Sequence, residues 1–517
     1  MKNIALFVLT VSVMIFAASA AQSQTVIKCT LPAGAGNGNE RLAALLIKSE
    51  SANTVIKSIT FNLTGTTDIT DIKIVKVYYT GADKRLDANK ATQLGSKKPV
   101  YGNMVFKGEV SLINGENYIW IIGDLTASAK EGNQIGASVV SYTLGDGTVV
   151  KVPETEGTRT VLLANKLLFS SGDGGSKSYR IPAIVTAADG SLVTATDKRW
   201  DNSNDLPEHI DLVTRRSTDR GQTWSSPVTI AGKETSTGYG DPALVVNKKN
   251  GEIVCLFASD KGWPGSTAAA PIRINQSISA DNGITWSPPA DITSQIYSAV
   301  STNPATREWP AAFIASGAAL QLRSGRLMAV LAVREPSIKS VSNFVIYSDD
   351  NARTWQVSTN RACASGDEAK VVELDNGDVL MSIRHSGHRL FNISHDHGIT
   401  WGTQVDQNEI TDPFCNGDLI RYTALTDGFN KNRLLHSIPF AKSRKNVSVL
   451  LSYDEGQTWP VKKTIYEGSS AYSALTILDD GTIGIYYEVG EYETYQMYFA
   501  RFSLSCLSEG NDVYSRQ

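Results

Sequence analysis

The chain has 517 residues, of which 41% are apolar, 20% charged and 8% aromatic, and its formal net charge is −3. That length and composition suit two globular domains with sizeable cores, and exclude collagen-like, disordered and disulfide-dense classes. A near balance of 49 basic and 52 acidic residues speaks against general nucleic-acid or membrane-surface binding, so any pull on an anionic ligand has to be local.

Residues 1–21 read as an export signal: Lys2, the apolar stretch from Ile4 to Phe16, and the small-residue cleavage pattern Ala18-Ser19-Ala20. The first cysteine, Cys29, lies well past that pattern, which argues against a lipid anchor. No later apolar run approaches the roughly 20 residues of a membrane span, so a chain exported to the periplasm, cell surface or medium without membrane insertion is expected, with monomer as the default state. The five cysteines (29, 255, 363, 415 and 506) show no metal-like or CxxC spacing, leave room for one bridge but no framework, and Cys255 suits a buried thiol. His385, His388, His395 and His397 fall close together, but two of them fill or flank a turn motif, and no metal is expected.

From residue 22 to about 160, alternating stretches such as Val55-Ile56-Lys57-Ser58-Ile59-Thr60-Phe61 read as strands separated by turns at Asn114-Gly115 and Asp146-Gly147, which predicts a small β-sandwich. Tyr118 and Trp120 there are candidates for sugar binding, against the commoner fate of strand aromatics in a core.

Residues 161–517 repeat themselves. The pattern Ser-x-Asp-x-Gly-x-Thr-Trp runs from Ser217 to Trp224, Ser279 to Trp286, Ser394 to Trp401 and Ser452 to Trp459, with a degenerate copy from Ser348 to Trp355 in which Ala352 replaces Gly. An Asp that binds backbone amides, a Gly free to take positive φ and a Trp packed beneath make these structural turns rather than binding sites. Hairpins precede them at Asp189-Gly190, Asn250-Gly251, Ser324-Gly325, Asn376-Gly377 and Asp480-Gly481, with a looser one from Arg421 through Gly428 to Ser437. Units starting at 180, 241, 315, 368, 421 and 472, about 58 residues apart, predict a six-bladed β-propeller whose last blade is completed by a strand near Leu167-Leu168-Phe169.

Two-residue hairpin loops set Arg180 opposite Arg199 and Asp241 opposite Asp260, with Glu368 beside Arg384 and Tyr472 beside Glu488. Opposed like charges are unfavourable unless an anion or another partner relieves them. These ends converge on one mouth of a propeller channel, where unlike ionisable groups mark a candidate site. Separated guanidiniums suit a carboxylate; Arg180 and Arg384 are two, and Arg444, just before the strand from Val447 to Leu451, is a third candidate.

Tyr179-Arg180-Ile181-Pro182, the five Asp-containing turns, Gly366-Asp367-Glu368-Ala369, and Ala471-Tyr472-Ser473-Ala474-Leu475 followed by Tyr486-Tyr487-Glu488 together resemble the bacterial exo-sialidases (neuraminidases) of the Asp-box type, glycoside hydrolase family 33-like. The resemblance covers about 350 residues of the propeller region, and the sandwich region is similar to the one preceding the propeller in some gut-bacterial sialidases. It implies roles residue by residue. Arg180, Arg384 and Arg444 bind a carboxylate; Asp205, with Asp201 and Asp211 as rivals, is the acid/base; Arg199 and Asp241 contact the O4 side of the sugar. Tyr472 is the nucleophile, Glu368 its base, and Glu488 orients Arg180. Where the family often has Gly-Tyr-Ser-Asp-Leu this chain has Ala471-Tyr472-Ser473-Ala474-Leu475, which alters the surroundings of the tyrosine. The implied function is hydrolysis of terminal sialic acid from glycans without metal or organic cofactor. A non-hydrolytic sialic-acid lectin and a trans-sialidase are the competing readings.

Overall fold

A computed structural model describes residues 23–516 except 53, 156, 233–237 and 493, so the expected export signal lies outside the described residues. Among those residues no helix is long and apolar enough to cross a membrane. The five cysteines are unbridged. The chain divides into two compact units, and strands dominate both.

The first unit comprises residues 23–29, 38–125 and 134–158. A five-stranded sheet (Ser23–Lys28, Glu40–Ser49, Gly115–Leu125, Ile72–Gly81, Thr92–Lys97) accompanies a four-stranded one (Val149–Lys151, Ser138–Leu144, Val55–Asn62, Met104–Ser111). Leu45, Ile47, Val75, Val77, Ile119 and Ile121 alternate along the first sheet, Ile59, Phe61 and Phe106 along the second, and all are buried, the sandwich that period-two patterning predicts. The other face of the larger sheet is also closed. Tyr78, Tyr118 and Trp120 pack there under Leu86, Ala88 and Ala91, and Trp120 Nε1 donates to Thr80 Oγ1 at 3.1 Å. Tyr118 and Trp120 are 4% and 6% exposed and therefore offer no platform for a sugar ring.

The second unit takes residues 159–517 and also two short segments, 30–37 and 126–133, which the sequence boundary near 160 does not anticipate. Its antiparallel ladders follow chain order. The first holds Ser178–Thr186, Leu192–Arg199, Ile210–Thr214 and Val228–Ala231; the second Tyr239–Val246, Ile253–Asp260, Ile272–Ser279 and Ala290–Asp291. The third holds Ala311–Ile314, Leu327–Arg334, Val341–Ser348 and Gln356–Val357; the fourth Ala369–Glu373, Val379–Ile383, Ser386–Ser394 and Val405–Pro413. Seven further strands form one sheet, in which the long strand Val461–Ile477 pairs with Lys445–Ser452 through its first half and with Ile483–Val489 through its second. That sheet ends with Ala164–Phe169 paired to Gln496–Phe502, so a strand from before the first ladder completes the last one. The ladders touch in a closed circuit: Ser178–Thr186 meets Tyr239–Val246, which meets Ala311–Ile314; Leu327–Arg334 of that third ladder meets Ala369–Glu373, which meets Asp418–Thr423; and Val461–Ile477 meets both Asp418–Thr423 and Ser178–Thr186. Such a circuit is a β-propeller.

The Asp-containing turns are structural. In each, the serine hydroxyl donates to the aspartate and accepts the amide four residues on, while the threonine amide and hydroxyl donate to the same carboxylate, as in Ser279, Asp281, Gly283 and Thr285. Two consecutive residues take positive φ there, Asn282 at 57° and Gly283 at 83°. A Cβ on Gly283 would meet Val193 Cγ1 at 2.7 Å in the preceding ladder, and one on Gly398 would meet the Met328 side chain, so the turns also seat each ladder against its neighbour.

Hairpin loops correct the register expected from the sequence. At 187–191, 374–378 and 478–482 the closing pair encloses three residues ending in a positive-φ glycine, not two. Bulges in the leading strands shift pairing again near the far end. Arg180 therefore pairs with Asp197 rather than Arg199, and Asp241 sits in a bulge rather than opposite Asp260, which instead binds Arg273 at 2.9 Å. Glu368 and Arg384 remain partners through the Arg384 amide, and Tyr472 lies beside Glu488.

Candidate active site

Three leading strands carry a bulge at the same end, between Arg180 and Ala183, Gly240 and Ala243, and Ser470 and Ser473. Ile181 and Asp241 take φ of 64° and 61° there, a conformation β-branched residues in particular avoid. Each bulge frees a backbone N–H, and a buried carboxylate accepts it. Glu488 takes those of Ile181 (2.9 Å) and Tyr472 (3.0 Å) and also both the Nε and Nη2 of Arg180 at 3.1 Å. Asp197 takes that of Asp241 at 3.1 Å and the Arg199 guanidinium at 2.9 Å. The strained backbone and the carboxylates behind it hold one another in place.

Tyr472 is the centre. Its hydroxyl donates to Glu368 Oε2 at 2.5 Å and accepts from Arg384 Nη1 at 2.9 Å, and the same Arg384 nitrogen reaches Glu368 Oε2 at 2.5 Å. Arg180 and Arg444 lie over the tyrosine ring, 5.0 and 5.6 Å from its centroid. Arg444 Nη2 is fixed by the Phe414 carbonyl at 2.9 Å, and Arg384 stacks on the Phe414 ring at 4.1 Å. The three candidate cations therefore converge. Burial and the facing Glu368 push the Tyr472 phenol well above its ordinary value, against the pull of Arg384 and Arg180, so the phenol keeps its proton in the resting site.

Across the cavity, Arg199 Nη2 binds Asp205 Oδ1 at 2.7 Å on a side chain that is 65% exposed. Packing alone would raise the Asp205 carboxyl, but Arg199 and Arg180 outweigh it and hold it below the usual range. Asp197, fully enclosed, is pushed up to about 6 by burial despite Arg199, and Asp241 rises well above its ordinary value through burial and the nearby Asp197, Asp205 and Glu368. The rivals are elsewhere: Asp201 stands 3.8 Å from His209 Nδ1, and Asp211 accepts Trp200 Nε1 at 2.9 Å.

Arg180, Asp205, Asp241, Glu368, Arg384, Arg444 and Tyr472 line a cavity of about 640 Å³, with Leu206, Pro207, Trp263 and Phe313 as an apolar wall. Arg199 and Glu488 stand behind the lining. A cavity of equal volume at the opposite strand ends pairs its arginines, Arg421 with Glu455 at 2.7 Å and Arg323 with Glu373 at 3.6 Å, and among the described residues its lining brings no phenol and carboxylate into contact. Sequence reasoning missed Asp197, Phe414, Asn416 and Ser316. Asp197 was within reach, since two residues before Arg199 is the same face of a strand; Asn416 and Ser316, which both donate to Glu368 Oε1 at 3.1 Å, lie on loops without a periodic signal.

Residues 203–485 match the BNR repeat-like domain family, and residues 21–148 match the N-terminal domain of BNR-repeat neuraminidase. A sialidase of Micromonospora viridifaciens is 33% identical over 361 residues, 66% of this chain and 54% of its own length, so the chain spans about half of that relative. A sialidase of Bacteroides fragilis is 27% identical over 493 residues, covering 85% of this chain and 87% of its own. Among solved structures, the Hadza microbial sialidase Hz136 superimposes with a TM-score of 0.74 at 25% identity, over 93% of this chain and 99% of that one.

Proposed function

The chain belongs to the BNR-repeat sialidases (neuraminidases), and from that premise we propose that it is a retaining exo-α-sialidase that hydrolyses terminal sialic acid from glycoproteins, glycolipids and oligosaccharides, with Tyr472 as nucleophile. The observation that carries the mechanism is the contact of the Tyr472 hydroxyl with Glu368 at 2.5 Å inside a ring of three arginines. Sialic acid bears a carboxylate on its anomeric carbon, so a carboxylate nucleophile would meet like charge, whereas a neutral phenol does not. Arg180, Arg384 and Arg444 hold the substrate carboxylate, and Leu206, Pro207, Trp263 and Phe313 receive the methyl of its acylamino group.

As the phenol oxygen bonds to the anomeric carbon, its proton passes to Glu368 Oε2, and the glycosidic oxygen leaves with a proton from Asp205. Asp205 sits as a carboxylate while Arg180 and Arg199 face it; a bound substrate carboxylate neutralises part of that field and lets Asp205 take up the proton it must donate. The ionised Asp205 then draws a proton from water, which attacks the anomeric carbon and breaks the bond to the tyrosine. Glu368 returns its proton to the phenolate. Two displacements give retention, and no step calls for a metal or organic cofactor.

Residues 161–517 form the catalytic propeller, read as six blades with Val461–Ile477 shared by the fifth and sixth. Residues 22–160 are its accessory sandwich, residues 1–21 direct export, and the exported chain acts as a monomer. On an aryl α-sialoside, Tyr472→Phe is expected to lower kcat by at least about 10²-fold with Tm unchanged. A near-normal rate would overturn the nucleophile, and binding without release of the aryl group by the unaltered chain would mark a lectin instead.

A further inference from the structure

We propose that Lys370, buried beneath the active site, is a positioning residue for the base. It locks the side chain of Asn416 so that one oxygen of Glu368 is engaged from below and the other is left to receive the proton of Tyr472. The inference rests on the reading of Glu368 as the base and deepens it.

Lys370 lies two residues beyond Glu368, hence on the same face of the fourth ladder's leading strand, and is 1% exposed. Its ammonium donates to Asn416 Oδ1 at 2.8 Å. An ammonium has donors only, so the amide oxygen must face Lys370 and the amide nitrogen must face the other way. That nitrogen donates to Glu368 Oε1 and to the Ser316 carbonyl, both at 3.1 Å, and the Ser316 hydroxyl also donates to Oε1 at 3.1 Å. With Oε1 occupied twice, Oε2 alone faces the Tyr472 hydroxyl. The lysine's only hydrogen-bonded route to the base, among the described residues, is this amide, beside the charge it places near Glu368.

The cation is expensive to keep where it is. Asp418 and Glu368 favour it, Arg389 and Arg384 oppose it, and His436, held neutral by burial and the neighbouring Arg389 and Lys370, gives no help. Burial brings the Lys370 ammonium down to about 8. Room is tight as well, since a Cβ on Gly317 would come within 3.1 Å of Lys370 Cε. Asp418 is already satisfied by the amides of Leu475 (2.7 Å) and Leu419 (2.9 Å), so the ladder does not need the lysine to pair it.

The test is the pH dependence of kcat and KM on an aryl α-sialoside, with Tm, for the full chain and for Lys370→Met, Asn416→Leu, the pair combined, and Tyr472→Phe. Lys370→Met should lower kcat about tenfold or more with KM within about threefold, because the carboxylate-binding arginines are untouched. Its acidic limb should move to higher pH. Removing a buried cation from among carboxylates favours their neutral forms. Asn416→Leu should reproduce the loss, and the combined variant should add little to it, as expected for residues acting in series. Where Lys370→Met does not fold, Lys370→Met with Asp418→Asn removes both buried charges and gives the same readout. Unchanged pH limbs in Lys370→Met, or additive losses in the combined variant, would overturn the inference while Tyr472→Phe remains inactive. An active Tyr472→Phe would instead overturn the mechanism on which it rests.

Discussion

Each ladder's leading strand starts at the cavity and its third strand ends at an Asp-containing turn, so the site and the turns occupy opposite ends of the same sheets. The two ends follow opposite rules. The turns repeat one set of residues five times, bind their Ser, Asp and Thr groups to one another, and place glycine at the second of two positive-φ residues in four copies of five. At the cavity, successive ladders contribute different residues, positive φ falls on Ile181 and Asp241, and the buried Asp197 lies beside the half-buried Asp241. Repetition with local satisfaction marks what stabilises the fold; departure from it, at a cost in strain and charge, marks what does chemistry.

The sharpest way to break that comparison is Glu488. It is fully buried and accepts four hydrogen bonds, from Arg180 twice and from the amides of Ile181 and Tyr472. Glu488→Gln leaves Arg180 buried without its counter-charge, at a cost of about 3–5 kcal/mol in stability. Because it also releases two bulges that aim Arg180 and Tyr472, kcat/KM should fall at least about 10²-fold. Chemical denaturation alongside steady-state kinetics measures both. A variant that lost stability but kept full activity would show that Glu488 serves the fold alone.

The difference between the two ends also explains what the sequence disclosed. The turns were legible because Ser, Asp, Gly, Thr and Trp recur at fixed offsets, and hairpin glycines then gave the spacing of the units. Glu368 with Arg384 and Tyr472 with Glu488 followed because one residue of loop error still leaves them adjacent. Arg180 with Arg199 and Asp241 with Asp260 failed because bulges interrupt those strands. Pro182 and Pro242, each inside a strand pattern, were the available signal, since proline in a sheet interior implies a bulge or an edge. The bulge at Ala471 and Tyr472 has no such marker. Nor do Phe414, Asn416 and Ser316, whose places depend on loops meeting from separate ladders, a long-range fact that local periodicity does not encode.

Carboxylates at the two ends should respond to acid in opposite directions. Asp281, held low by the hydroxyl and amide of Thr285, contributes stability that is lost as pH falls through its folded value. Asp241 is raised by burial and by Asp197, so its ionised form penalises the fold above the unfolded value, and acid relieves the penalty. Asp241→Asn keeps the backbone φ of 61°, which asparagine tolerates, and removes the charge. Its Tm should rise by about 2 °C or more at pH 8 and by less at pH 5, while kcat/KM falls on the order of tenfold, as the O4-side role that the family resemblance implies for Asp241 requires. A drop in Tm at pH 8 would mean that Asp241 is structurally satisfied and that the cavity carries no such strain.

Within the turns themselves, the smallest effects test whether glycine is required for φ or for space. Gly283→Ala meets both demands, a φ of 83° and a Val193 methyl 2.7 Å from the new Cβ, and should cost about 1–3 kcal/mol. Ala352 already occupies the equivalent position at φ 64° and is 1% exposed, packed with Trp355 and Ile346. Ala352→Gly relieves roughly 1 kcal/mol of left-handed backbone strain, but it gives up about 0.8 kcal/mol of buried methyl and loosens the unfolded chain. The sum should fall within about 1 kcal/mol of zero, with kcat/KM unchanged in both variants. Equal losses in the two would imply that the third ladder has no looser seat than the others, and that its missing glycine reflects neither φ nor space.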